Sequence, residues 1–226
     1  MRKIVLSLSG GLDSSTLLSH ILQEDPSTEV TALFFYYGSK HNPYEIKAFH
    51  AVVKNYNELG YKIIPKCIEL NNIFKENPSN LMSGNGEIPE GHYEDETMKL
   101  TVVPGRNLIF ASIMASVAES IGAEAVYLGV HAGDHAIYPD CRKDFLLSLH
   151  NTVLFSTEGK VKIHAPFLDM TKTEIVTLGL LLNTPYHLTR TCYKEQEIPC
   201  GKCGSCRERL EAFTGNFSTD PLIYEE

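Results

Sequence analysis

Apolar positions follow two alternating periods along most of this chain. Ile4-Val5-Leu6-Ser7-Leu8 is a short run of the kind that fills a buried parallel strand, and Leu17, Leu18, Ile21 and Leu22 then share one face at helical spacing. Val30 to Tyr37 is rich in β-branched and aromatic residues and stops at Gly38, as a second strand entering a turn does. Asn42-Pro43 opens a helix with Ile46, Phe49, Val52, Val53 and Tyr56 on its apolar face, ending near Gly60. Lys62 to Ile68 predicts a third strand, weakened by Pro65, with Cys67 expected in the core. From 71 to 99 the pattern breaks at Pro78, Gly84, Gly86, Pro89 and Gly91, and so long an irregular stretch reads as a lid or binding loop. Val102-Val103 is expected to end a strand just before Arg106, and a helix then runs to Ile121 with Gly122 as its stop. Ala125 to Val130 predicts another buried strand, and the polar loop 131–142 leads into a helix through Val153. Thr171 and Glu174 form a capping box for one more helix. Strands alternating with helices imply an α/β fold with a doubly wound parallel sheet, which binds ligands at the carboxyl ends of its strands.

The polar residues between the first strand and the first helix change this picture from architecture to chemistry. Ser9-Gly10-Gly11-Leu12-Asp13-Ser14 stands where backbone N–H groups and the positive end of a helix dipole meet an anion, and paired glycines let the main chain approach it closely. Ser9, Ser14 and Ser15 add hydroxyl donors. A carboxylate beside phosphates repels them unless a cation lies between, so Asp13 is expected to help hold Mg²⁺. The GxxxxGK[ST] spacing of γ-phosphate transfer is missing from this loop.

Cys192, Cys200, Cys203 and Cys206 form a second constellation, C-x7-C-x2-C-x2-C, with glycines at 201 and 204 to allow tight turns. Four thiolates suit a closed tetrahedral Zn²⁺ site, with an iron–sulfur cluster as the rival. The chain has 226 residues, a net charge of −8 and six cysteines. That acidity argues against stable nucleic-acid binding, which needs a basic face. No apolar stretch predicts a membrane span or a signal sequence, so a cytoplasmic enzyme with reduced thiols is expected.

The loop resembles the SGGxDS signature of N-type ATP pyrophosphatases, which activate an oxygen by adenylation and expel pyrophosphate. Four further segments narrow the resemblance: Phe35 to His41 with Glu45, Val103 to Asn107, Tyr138 to Arg142, and Thr191-Cys192-Tyr193 with the remaining cysteines. Together, from about residue 3 to Arg209, they resemble the 7-cyano-7-deazaguanine synthase family, which commonly has Asp where Tyr36 stands and Gln where Ser39 stands.

The resemblance implies a C–N-forming ligase of queuosine or related deazapurine biosynthesis that turns 7-carboxy-7-deazaguanine, ammonia and ATP into the nitrile through adenylated acid and amide. It implies ATP contacts from Leu8, Ser9, Gly10, Gly11 and Leu12, continuing through Asp13, Ser14 and Ser15, with Tyr36 nearby. Asp13, Arg106 and Lys172 would take part in catalysis; Tyr37, Glu45, Arg106 and Asn107, with Asp134, Tyr138, Asp140 and Arg142, would bind the deazaguanine acid. Residues 1–184 would form the nucleotide-binding domain, with 71–100 as a substrate loop, and 185–226 a zinc-binding segment packed on it. A homodimer is a further implication. Three alternatives stand beside this reading: a relative that stops at the amide, a tRNA thiolation enzyme, and a non-catalytic zinc or nucleotide module.

Overall fold

The computed structural model describes residues 1–93 and 95–225. In chain order its elements are β1 (Lys3–Ser7), α1 (Leu12–Glu24), β2 (Glu29–Tyr36), α2 (Asn42–Glu58), β3 (Lys62–Glu69), the single turn α3 (Asn71–Phe74), α4 (Arg106–Ile121), β4 (Ala125–Tyr127), α5 (Lys143–Ser156), β5 (Lys162–His164), α6 (Lys172–Leu181) and α7 (Gly204–Gly215). The five described strands are all parallel, in the order β3-β2-β1-β4-β5. β1 is central because it is apolar on both faces. Ile4 and Leu6 join Leu17, Leu18 and Ile21 of α1 and Phe49 of α2 in one core, while Val5 joins Met114 of α4 and Leu149 of α5 in the other. The order of connection reverses at β1: the chain passes from β1 outward to β2 and β3, then returns to β4 and β5 on the other side of β1. Such a switch point opens a crevice at the carboxyl ends.

Several expectations needed correction. Cys67 is exposed, because β3 is an edge strand paired on one side only, and beyond Ile63 its residues are partly or wholly exposed. Pro65 is tolerated there for the same reason. Among the described residues no strand leads directly into Arg106: a 3₁₀ turn over Glu96–Thr101 leads in, and Gly105 at φ +68 turns the chain so that Arg106 begins α4. β4 ends at Tyr127 instead of Val130, since its neighbour β5 is only three residues long; Leu128 N still donates to the His164 carbonyl at 2.9 Å before the chain turns to the crevice.

The described part of 71–99 is packed, not loose. Leu81, Met82, Ile88, Tyr93 and Met98 are buried with α4 in one core, and the backbone of Met82 bridges to Ser39. Lys40 N donates to the Leu81 carbonyl at 2.8 Å, while Lys40 Nζ donates to the carbonyls of Asn85 and Gly86. Besides the single turn α3, β5 and α7 lacked a sequence expectation. β5 is too short to show a period, and α7 begins inside the cysteine run.

Candidate active site and cysteine centre

At the end of β1 the chain turns through Gly10 at φ +79, and a Cβ there would stand 2.4 Å from Phe49 N. Glycine is therefore required both by conformation and by the approach of α2. Ser9 Oγ accepts from Gly11 N at 3.1 Å, and Ser14 Oγ accepts from Ser9 N at 3.3 Å. The loop holds its own shape this way, and the first-turn amides of α1 remain for an anion. Arg190 N donates to the Gly10 carbonyl at 2.9 Å and ties the loop to the C-terminal segment.

In the first turn of α1, Asp13 accepts from Lys172 Nζ at 2.8 and 2.7 Å, where Lys172 opens α6. Lys172 Nζ also lies 3.2 Å from Glu208 Oε2, on α7. Burial alone would raise Asp13, but Lys172 and then His131 outweigh it and hold the carboxyl below its ordinary value. The lysine is pushed up by Asp13, Glu208 and Asp134 against the opposing effect of burial, so it stays charged. Glu208 moves the other way, since burial raises it more than Lys172 and His131 lower it. His131 is 2% exposed; its Nδ1 accepts from Gly133 N at 3.1 Å, leaving Nε2 to face Asp134 at 3.5 Å and Glu208 at 4.0 Å. Asp134 caps its own turn, taking Tyr93 OH at 2.8 Å and His131 N at 3.2 Å.

Across the crevice stands a wall of arginines and aromatic rings. Arg106 donates from Nη1 to Tyr37 OH at 3.2 Å, and Tyr37, Tyr193, Tyr138 and Asp140 hold its guanidinium charged although burial opposes this. Phe35 stacks on Phe110 at 4.0 Å and 10°, which fixes the floor. Tyr37 OH and His41 Nε2 are 3.1 Å apart. Burial first, then Arg106 and Arg190, push His41 down to about 3, so its 3.6 Å approach to Glu45 is not an ion pair. Glu45 is pushed up to about 7 by burial, despite both arginines and a long hydrogen bond from Asn42 at 3.5 Å. Cys141 is buried, accepts from Asn107 Nδ2 at 3.1 Å and keeps its proton, because burial drives the thiol well up.

One cavity brings most of the expected residues together: Leu8, Ser9, Gly11, Leu12, Asp13, Ser14, Tyr37, Glu45, Arg106, Asn107, Asp134, Tyr138 and Lys172 all line it. Five others stand off it. Gly10 shapes the loop from behind, and Ser15 is wholly buried. Tyr36 points to the opposite sheet face from Tyr37 and packs beside Phe34, as strand alternation dictates. Asp140 accepts from Asn107 N at 2.9 Å and so fastens the start of α4, while Arg142 is exposed and donates to the His135 carbonyl at 2.9 Å. Sequence reasoning passed over Tyr93, Arg190, Tyr193 and Glu208. Glu208, two residues after Cys206, carried a positional signal once the cysteines were taken as the start of a helix.

Sγ atoms of Cys192, Cys200, Cys203 and Cys206 lie within 4.8 Å of one another and are buried. Cys200 Sγ accepts from the amides of Lys202 and Cys203 at 3.4 and 3.3 Å, and hydrogen bonds from Cys192, Cys203 and Cys206 pull its thiol down while the cluster pushes Cys206 up. Four sulfurs this close need a cation to ionise together. Cys203 is also the N-cap of α7, and Cys206 lies in its first turn. One turn of helix therefore joins the cluster to Glu208 and to Arg209, which is 1% exposed and pairs with Asp220 at 2.6 Å.

No helix among the described residues is long and apolar enough to cross a membrane. The U34-tRNA thiolase NcsA from Methanococcus maripaludis, solved with its [4Fe-4S] cluster, superposes with a TM-score of 0.50 at 18% identity, covering 96% of this chain and 65% of that one. The likeness places this chain in the PP-loop ATPase-like fold. In sequence, the chain is 45% identical to 7-cyano-7-deazaguanine synthase of Hahella chejuensis over 99% of its length and 93% of the relative's. It is 43% identical to the synthase of Archaeoglobus fulgidus, over 99% of this chain and 91% of that one. The family model described as queuosine biosynthesis protein QueC matches residues 3–217. With the loop, the crevice and the four-cysteine centre in place, the chain belongs to the QueC family.

Proposed function

We propose that this protein converts 7-carboxy-7-deazaguanine and ammonia to 7-cyano-7-deazaguanine at the expense of ATP. The observation that carries the reading is a single cavity lined by the anion-binding loop, by Asp13 and Lys172, and by the wall of Arg106, Tyr37, Asp134 and Tyr138. A carboxylate is a poor electrophile, so its oxygen first attacks the α-phosphorus of ATP. The amides of α1 and Lys172 stabilise the negative charge that builds on pyrophosphate. Arg106, firmly charged and partly buried, suits the substrate carboxylate, and Asp134 suits the donor edge of a guanine-like ring. Ammonia then displaces AMP to give the amide. Adenylation of the amide oxygen in the same site, followed by elimination, gives the nitrile.

Two metal ions fit the donors present. Lys172 has Glu208 as a second carboxylate partner, so Asp13 can turn from the lysine to a hard cation such as Mg²⁺, which would add charge stabilisation to the phosphates. Zinc with sulfurs at roughly 2.3 Å places them about 3.8 Å apart, and Cys192–Cys200 and Cys200–Cys206 measure 3.7 and 4.0 Å. A cube of irons and sulfides needs its thiolates farther apart. The departures at Tyr36 and Ser39 keep an amide-forming relative as the second reading. Product mass after incubation with the acid, ammonium and Mg·ATP distinguishes the two: the nitrile with AMP is expected, the amide alone would favour the second reading, and no AMP with either the acid or the amide would overturn both.

A further inference from the structure

Adenylation accounts for the loop, for Asp13 and Lys172, and for Arg106, but leaves a partly buried acid, Glu45, 15% exposed, on the opposite wall without a task. Glu45 lies in the first turn of α2, three residues before Ala48, whose backbone packs against Gly10 of the anion-binding loop. It therefore lines the crevice close to that loop. Among the described residues its carboxylate is weakly engaged: Asn42 Nδ2 stands at 3.5 Å and neutral His41 at 3.6 Å. Arg106 from α4 and Arg190 from the segment ahead of the cysteines face it, and Tyr37 connects Arg106 to His41.

Resting on the function proposed above, we propose that Glu45 is the site at which the nitrogen donor enters as ammonium and gives up a proton. The flanking guanidiniums oppose a retained cation and favour neutral ammonia once the proton has moved. Burial lifts the carboxyl to about 7, high enough to carry that proton near neutral pH, which an ordinary glutamate cannot. The step balances. Ammonium passes one proton to a Glu45 oxygen, and the freed lone pair forms the C–N bond at the acyl-adenylate carbon. The C–O bond to AMP breaks with its electron pair, and the second proton lost by nitrogen passes to the departing phosphate oxygen.

Hydroxylamine provides the control, because it is already neutral at pH 7.5 and needs no deprotonation. For Glu45→Gln the expected result is a loss of about 100-fold in ammonium-supported amide and nitrile formation at pH 7, with hydroxamate formation and acid-dependent ATP–pyrophosphate exchange retained. Its ammonium rate then climbs about tenfold per pH unit from 7 to 9, following free ammonia, where the wild type is flat. An equal loss with hydroxylamine, or lost exchange, would show that Glu45 serves the acid or ATP and overturn the assignment; an unchanged ammonium rate would also overturn it. If the glutamine variant does not fold, Glu45→Asp decides, with a retained plateau expected and free-ammonia dependence contradicting. Wild-type protein inactive with both nucleophiles would instead defeat the function itself.

Discussion

At the scale of single residues, the centre of the site is a lysine shared by two carboxylates. Lys172 donates to both oxygens of Asp13 and faces Glu208 at 3.2 Å. Asp13→Asn, which keeps the shape and removes the charge, should lower ATP–pyrophosphate exchange by at least about 100-fold. Glu208→Gln should cost less, about 10-fold, and chiefly in the concentration of Mg·ATP needed, since Lys172 would then pair only with Asp13; exchange measured against Mg·ATP checks both. Glu45 offers a test in stability. Its native pKa lies near 7, above an ordinary glutamate, so the native state binds the proton better and stability falls as pH rises from about 4.5 through 7. Glu45→Gln removes that loss, worth up to roughly 3 kcal/mol, and thermal unfolding should show its melting temperature gaining on the wild type between pH 5 and pH 8. Asp13 was legible in the sequence because its loop is contiguous. Glu208 and Arg190 were not, because their partners, Lys172 and the Gly10 carbonyl, are brought near only by the fold.

At the scale of elements, α7 links the cysteine cluster to Lys172 at the crevice. The cluster fixes the first turn, Glu208 reaches Lys172 from the next, and Arg209 locks the helix to Asp220, Thr189 and the Tyr186 carbonyl. Arg209→Ala leaves Asp220 buried and unpaired, so a loss of about 3–5 kcal/mol is expected in denaturant unfolding. Stripping the metal with a chelator should loosen α7 before the sheet: protease cleavage within 190–216 and lost nucleotide binding are expected while far-ultraviolet dichroism changes little. Simultaneous collapse of the sheet would contradict this. The cysteine spacing was readable because Cys200, Cys203 and Cys206 follow one another at three-residue intervals. The helix it starts was not, since Gly204, Ser205 and the following charged residues have weak helical patterning.

At the scale of the whole molecule, the alternation of apolar runs disclosed the class of the sheet but not the order of its strands. β1 and β2 stood out because they are buried on both faces; β5 did not, with one buried residue among three. Nor could periodicity show that the irregular stretch after β3 folds in as a wall, because its buried residues, Leu81, Met82, Ile88, Tyr93 and Met98, follow no repeat. That wall and the switch point between β1 and β4 close one crevice around both the glycine-rich loop after β1 and the side chains of Arg106, Tyr37 and Tyr138. The central claim is that one loop serves two adenylations of one substrate. The most direct measurement uses 7-carboxy-7-deazaguanine with both carboxylate oxygens as ¹⁸O, followed by mass spectrometry of the nucleotides. Two AMP molecules per nitrile, each carrying one ¹⁸O, are predicted. Label appearing in phosphate or in water, or a single labelled AMP per nitrile, would contradict the account.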